Sequence, residues 1–453
     1  HRRDVFTGNA QRPSPRRWSR RWDYDYRNNL VREERDDNPF SWYRWQYDSA
    51  GRLLVQDGTL PRQEQWRWDA AGNPLDGSAE KVTHNRLTQL NGIRWRYDIH
   101  GRTVEKDNGQ TRWHYRYDGE HRLTEVISQP RDRNRPQTQV SFRYDPLGRR
   151  ISKTRQQMLG GQATGKPVTT RFVWEGFRLL QELHGDVPLT YVYSDQDSYD
   201  PLARIDGVDA PDIFWFHCQP NGTPERMTDI EGQVRWEGVN SAWGKLLRES
   251  ETQLSGYSQN LRMQGQYLDR ETGLHYNLFR YYDPDCGRFT QQDPIGLAGG
   301  INLYQYGANS LTRIDPLGLK QEEVIRYMSK DEAIASAAER GGKGGLVPNN
   351  RGDKAIWVNH DSRPGFNPGN EKYRAVMTVN DSGVELLNQH SDISKVDYKE
   401  TGLKDGVLSK RNEPGAKGIG KNILARFNDK ITSFQIEKKD AKGNWKKCGK
   451  RIT

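Results

Sequence analysis

The chain has 453 residues, enough for two to four domains, yet only 33% are hydrophobic and the mean hydropathy is -1.03. Such polarity would suit disorder, but 14 Trp, 21 Tyr and 12 Phe exclude it, because disordered chains are poor in aromatics. The net charge of +10 is concentrated late: residues 320–453 carry 26 Lys and Arg against 18 Asp and Glu, leaving little net charge on 1–319, and a basic region of this kind suits an acidic partner such as RNA, a nucleotide or an acidic protein.

The start, HRRDVFTGNAQRPSPRRW, lacks the apolar core of a secretory signal, and His1 stands first. The expectation is a piece of a longer protein whose delivery module lies upstream. No apolar run approaches the ~18 residues of a spanning helix, so no membrane span is expected. Cys218, Cys286 and Cys448 lie far apart without metal-ligand spacing, which predicts isolated thiols and no metal site.

A recurring unit follows. It reads YDSAGRLL from Tyr47, WDAAGNPL from Trp68, YDIHGRTV from Tyr97, YDGEHRLT from Tyr117 and YDPLGRRI from Tyr144, with a weaker copy, YDYRNNLV, from Tyr24. Alternating stretches such as RWRY (94–97) and HYRY (114–117) precede the Tyr-Asp pair and have the two-residue period of a strand. Asp, one or two small or flexible residues and usually Gly then predict a tight turn, after which Arg-Leu begins the return strand. Each unit is a hairpin that cannot bury its own face, so the units are expected to stack into one long sheet. They resemble the YD repeats of Rhs and related polymorphic toxins. The resemblance implies a mainly β fold, a hairpin spiral forming a hollow shell, followed by a small α+β toxin domain.

Downstream, IFWFHCQPNGTPERMTDIEGQVRWEGVNSAWGKLL (213–247) and NLRMQGQYLDRETGLHYNLFRYYDPDCGRFTQQDPIGLAGGINLYQYGANSLTRIDPLGL (260–319) resemble the terminal part of the Rhs core. The expected domains are thus a repeat shell at 1–212, an autoproteolytic plug at 213–319 and a toxin domain at 320–453. In that family the plug cuts the chain after the Leu of the DPxGL motif, which maps the scissile bond to Leu319–Lys320. The catalytic aspartates map to Asp293 in QQDPIGL and Asp315 in RIDPLGL, and a supporting arginine maps to Arg280 in FRYYDP. Two close carboxylates share a proton, so one can act as base on water and the other as acid. Read without the resemblance, the same aspartates cap Asp-Pro turns. The family often has Pro five residues before the second Asp, where this chain has Ser310.

After Leu319 the pattern changes. EEVIRYMS (322–329), KAIWVNHD (354–361), YRAVMTVN (373–380), SKVDYKETGL (394–403) and ITSFQIEKK (431–439) read as strands. SKDEAIASAAERGG (329–342) reads as a capped helix, with Ser329 and Glu332 in a capping box. NEPGAKGIGKNILARFNDKI (412–431) reads as a Gly-rich turn leading into a helix, and it lacks phosphate-loop spacing. The segment partially resembles bacterial ADP-ribosyltransferase toxins. That resemblance implies NAD as cofactor, with Arg326 and Tyr327 in the first strand and Trp357 in the second holding it, and Glu413 as the catalytic carboxylate. No hydroxyl stands in register near Trp357, which departs from the pattern. The alternatives are a metal-independent ribonuclease, drawing on His360 or His390 and the basic KKDAKGNWKKCGKR (438–451), and a non-enzymatic receptor-binding or structural tip. The Rhs resemblance further implies secretion from a bacterium, action in a target cell's cytoplasm on a protein or RNA such as the translation machinery, a secretion apparatus engaged upstream, and a cognate immunity protein, here expected to be acidic.

Overall fold

A computed structural model describes residues 18–25, 29–36, 41–59, 64–77, 82–132, 134–195, 198–250, 256–296 and 302–319 with their side chains, and the backbone alone of further strands between 2 and 17 and between 322 and 447. The chain divides into two compact units: His1–Pro294 with Asn302–Leu319, and Ile295–Ile301 with Lys320–Thr453. Among the described residues no helix is long and apolar enough to cross a membrane, which says nothing about strands.

The first unit is built from antiparallel meanders. Six strands from Arg2 to Gln65 form one sheet, and fifteen from Gln89 to Glu251 form another, each strand beside its chain neighbours. Alternation sets the faces: in Ile93–Tyr97, Trp95 is buried between exposed Arg94 and Arg96. The register slips just before the motif aromatic, between Arg96 and Tyr97, Arg116 and Tyr117, and Arg143 and Tyr144. Such bulges bend a strand and re-aim the next side chain. Here they deliver the aromatic to the preceding hairpin. Tyr47 donates to the Leu30 carbonyl at 2.6 Å, Tyr117 to Thr103 at 2.9 Å and Tyr144 to Leu123 at 2.5 Å, while Trp68 donates its indole N–H to Leu53 at 2.7 Å. Each acceptor is the sixth residue after the aromatic of the hairpin before. The motif arginine reaches forward: Arg52 donates to the Asp69 carbonyl at 2.6 Å and Arg149 to Gly176 at 2.7 Å. The Tyr-Asp-x-x-Gly-Arg-Leu spelling therefore encodes both a turn and its two stapling contacts.

The boundary expected at 212/213 falls inside the strand Asp212–Cys218, and the long sheet continues to Glu251. Hairpin geometry outlasts the Tyr-Asp spelling. The turn at Asp229 keeps the repeat pattern, with Asp229 accepting from the Gln233 amide at 2.8 Å and from Arg235 at 2.6 Å.

The chain then folds inward. Four short strands, Tyr267–Asp269, Leu274–Asn277, Arg280–Asp283 and Arg288–Phe289, form a separate sheet whose residues are all buried. Aromatics bind this plug to the repeat strands in one core that includes Tyr115, Phe142, Phe172, Trp236, Tyr276 and Tyr281. Buried ions add register. Arg150 meets Asp269 at 2.6 Å and lies over the Tyr276 ring at 4.3 Å; Lys106 meets Asp283 at 2.8 Å and Asp285 at 2.6 Å. Burial alone would lower the Lys106 pKa, but the two carboxylates outweigh it and raise it.

In the second unit seven strands form one sheet, in the order Val407–Lys410, Glu413–Gly420, Ala355–His360, Glu322–Met328, Tyr373–Val379, Ile431–Lys439 and Trp445–Lys447. The strands expected near 322, 354, 373 and 431 are present. The turn expected at Glu413 is instead a strand, hydrogen-bonded to Ala355–His360 on one side and Val407–Lys410 on the other. Two ladders satisfy the backbone of this Gly-rich stretch and override its local turn preference. The helix expected at 329–342, the strand at 394–403, the helical part of 421–430 and His390 lie outside the described residues.

Candidate functional site

The plug's central hairpin joins Asn277 to Arg280 through only two residues, Leu278 and Phe279. Leu278 takes a φ of 55°, the left-handed region that leucine seldom enters, as a two-residue turn requires. The hairpin thereby sets Asn277 and Arg280 side by side, and both grip the segment 315–319. The Asn277 side-chain amide donates to the Asp315 carbonyl at 2.8 Å. The Phe279 amide donates to the Leu317 carbonyl at 3.2 Å, and Arg280 Nε donates to the Gly318 carbonyl.

Arg280 also joins the two aspartates expected from sequence. Its Nη2 lies 2.8 Å from the Asp293 carboxylate and 3.5 Å from Asp315 Oδ2. Its Nη1 donates to the Leu303 carbonyl at 3.1 Å, and the guanidinium lies 3.6 Å above the Phe289 ring. All three side chains are at least 96% buried. Asp293 is pinned by its own amide, which donates to Leu303 at 2.9 Å, and the Asp315 amide donates to the Tyr306 hydroxyl at 3.2 Å.

Asp315 heads a tight turn. The Gly318 amide donates to the Asp315 carbonyl at 3.3 Å, and the Leu319 amide donates to Asp315 Oδ1 at 2.8 Å. Gly318 has a φ of 67°, and a Cβ there would lie 2.3 Å from the Asn277 carbonyl. Gly265 supports the other side: a Cβ there would meet the Pro316 carbonyl at 2.1 Å. Burial raises the Asp315 pKa to about 6. Arg280 and the amides of Leu319 and Gly318 pull it down, while the Asp293 charge pushes it further up.

A cavity of about 410 Å³ borders this centre, lined by repeat-turn residues such as Arg122 and Leu147 and by Phe279, Gln292 and Asp293. Asp293 thus adjoins space that can hold water. Ser310, where the family pattern has proline, is fully buried and donates to the Ala242 carbonyl at 2.6 Å.

The structure brings Arg280, Asp293 and Asp315 together beside Leu319. Sequence reading missed Asn277 and Tyr306. Asn277 lies three residues before Arg280 in HYNLFRYYDP, a spacing that a two-residue hairpin turns into adjacency.

The candidates in the second unit are less well gathered. Tyr327 pairs with Arg374, and Arg326 with Ala375. Val324 and Ile325 pair with His360 and Asn359, which puts Tyr327 and Trp357 on neighbouring strands. Glu413 sits on the next strand, but Trp357 pairs with Gly418. Five residues of strand put Glu413 about 16 Å farther along the sheet.

A model described as RHS protein matches residues 213–250. Double-stranded DNA deaminase toxin A of Burkholderia cenocepacia is 41% identical over 322 residues, 66% of this chain and 22% of that protein. Toxin protein Tse5 of Pseudomonas aeruginosa is 31% identical over 67% of this chain and 27% of its own length. Probable deoxyribonuclease RhsB of Dickeya dadantii is 32% identical over 66% of this chain and 21% of its own. The chain spans about a quarter or less of the length of these relatives. Repeat hairpins, a matched core segment and relatives that share two thirds of its length agree: the chain belongs to the Rhs family of YD-repeat proteins.

Proposed function

We propose that this chain is part of a secreted interbacterial toxin whose shell cuts its own backbone at Leu319–Lys320 and so frees the domain at 320–453. The observation that carries the reading is the buried Arg280–Asp293–Asp315 group around the turn that ends at Leu319. Asp293, ion-paired to Arg280 and beside the cavity, takes a proton from water. The oxygen adds to the Leu319 carbonyl carbon. Asp315, whose raised pKa keeps a fraction of its carboxyl protonated toward neutral pH, gives a proton to the departing Lys320 nitrogen. Water is consumed, and the products are a carboxylate at Leu319 and an amine at Lys320. The test is the purified chain on a denaturing gel. A wild type that runs as two fragments, with Asp315→Asn intact, supports cleavage; an intact wild type at neutral pH overturns it.

For the freed domain the reading is an enzyme acting on a phosphate-bearing substrate, in keeping with its charge of +8. In its first form it is an NAD-dependent ADP-ribosyltransferase. Arg326 would grip the dinucleotide phosphates, with Tyr327 and Trp357 beside it on neighbouring strands; bound NAD would supply the ADP-ribosyl group. Glu413 as the partner carboxylate fits this less well, given its distance along the sheet. The second form, a ribonuclease or other nucleic-acid enzyme, is favoured by the relatives, two of which are named for DNA deamination and deoxyribonuclease activity. Incubating residues 320–453 with labelled NAD and a bacterial lysate separates the two. Transfer of label lost in Arg326→Ala supports the transferase, nucleic-acid breakdown without NAD supports the nuclease, and harmless expression in a host favours a binding tip. An acidic immunity protein would protect the producing cell, and the site of action would be the target cell's cytoplasm.

A further inference from the structure

The cleavage turn shares two defining bonds with the repeat turns, although its aspartate amide donates to the Tyr306 hydroxyl where the repeat aspartates donate to the fifth residue's carbonyl. In Asp145-Pro146-Leu147-Gly148-Arg149 the glycine amide donates to the aspartate carbonyl at 3.0 Å, and the amide of the fifth residue donates to Asp145 Oδ1 at 3.0 Å. In Asp315-Pro316-Leu317-Gly318-Leu319 the same two bonds are 3.3 and 2.8 Å. Four residues of five are identical. The fifth differs, and in the Tyr-Asp and Trp-Asp repeats it does a second job, one that passes at Asp229 to Arg235, two residues beyond the fifth. In each of the turns at Asp25, Asp48, Asp69, Asp98, Asp118 and Asp145, the fifth residue is Asn or Arg, and its side chain donates to Oδ2 of that aspartate at 2.6–3.0 Å. Leucine cannot donate. Among the described residues, the side chain that meets Asp315 Oδ2 is Arg280, reaching across from the hairpin at 3.5 Å, long for a charged pair.

We propose that Leu319 determines cleavability: the scissile turn is a repeat turn stripped of its internal donor, and any fifth residue that donates to Asp315 Oδ2 silences it. The inference rests on the self-cleavage reading above. A donor in the turn holds the carboxyl as a carboxylate, while removing it leaves the carboxyl to take up and give a proton. The groups facing Asp315 are Arg280, Asp293, the Tyr306 hydroxyl, the Asn277 amide and the amides of Gly318 and Leu319. None repeats the short side-chain bond to Oδ2 found in the repeats. The same logic keeps the shell intact, since its own Asp-Pro-Leu-Gly turn at 145–148 carries Arg149.

The experiment times fragment release from the full chain after dilution from denaturant into buffers from about pH 5 to about pH 8. Leu319→Met should cleave within about twofold of wild type. Leu319→Arg should slow at least about tenfold near neutrality, and the fall of its rate with pH should begin about one unit lower, because an ion-paired carboxyl loses its proton earlier. Leu319→Asn, a smaller donor matching Asn29 and Asn73, should also slow, and it decides the matter if the arginine variant fails to fold by thermal melting. Leu319→Arg or Leu319→Asn cleaving like Leu319→Met, or Leu319→Arg slowed by one factor at every pH, overturns the proposal. An intact wild type, or a cleaving Asp315→Asn, instead overturns the self-cleavage reading itself.

Discussion

The repeat turns and the turn at Asp315, proposed above as the cleavage turn, place the same residue in opposite surroundings. In the shell, Asp98, Asp118 and Asp145 each accept two or more backbone amides and a short arginine bond. Partial burial works to raise their pKa values, but those donors outweigh it and lower them. At Asp315 burial is nearly complete, the turn offers only amides, and the pKa climbs to about 6. A side chain's role here is set by one residue in its turn and by the depth at which the turn is packed.

The largest effect expected is on chemistry. Asp315→Asn keeps the shape and the Leu319 contact but cannot deliver a proton, so cleavage should fall by about 10²- to 10⁴-fold. An Asp315→Asn chain that still cleaves would show that the Asp315 carboxyl supplies no proton, for all its depth in the fold.

Next comes stability. Asp269→Ala would leave Arg150, fully buried among aromatics, without its carboxylate. Breaking such a pair costs about 3–5 kcal/mol. Chemical denaturation checks this, and a loss under about 1 kcal/mol would mean the aromatic rings alone hold the guanidinium.

The two turn classes should also titrate with opposite signs. Asp315 has a raised folded pKa, so its contribution is fully present below the usual carboxylate pKa and is lost as pH rises through about 6. The shift from 3.8 amounts to about 3 kcal/mol. Asp98, Asp118 and Asp145 have lowered folded values; their contribution is present above the usual carboxylate pKa and is lost on acidification. If Asp315 is the acid of the proposed cleavage, the rate should fall about tenfold per unit above about pH 6. A rate that instead rises steadily from about pH 6 to about pH 8 would assign the acid to another group.

Asn277 sharpens the comparison from the other side: it grips the Asp315 carbonyl from a docked hairpin, whereas the Asp69 carbonyl is held by Arg52 of the turn before. Asn277→Ala should slow cleavage about tenfold by loosening the turn. Wild-type timing in that variant would place all the positioning on Arg280.

Much of this was readable in the sequence because repeats are local. Tyr47 to Leu53 spells a strand end, a turn and a return strand within seven residues. Asp293, Arg280 and Asp315 were legible through a long motif. Asn277 and Tyr306 were not, because their contacts to Asp315 span 38 and 9 residues and depend on how the hairpin docks. The 413–420 stretch misled for the same reason: glycines suggest a turn locally, and only the strands on either side make them a ladder.

The smallest effect is expected in the shell. Arg52 is paired with Asp48 at 2.6 Å, with both side chains about one fifth exposed. Arg52→Met removes that pair and the bridge to the Asp69 carbonyl. Asp48 keeps its amide donors from Ala50 and Arg52, and solvent reaches the site, so the loss should stay near 1 kcal/mol. Cleavage should proceed at the wild-type rate, because nothing in this turn touches Asp315. A cost matching that of Asp269→Ala would break the comparison, for it would make the exposed turn pairs as essential to the fold as the buried ones.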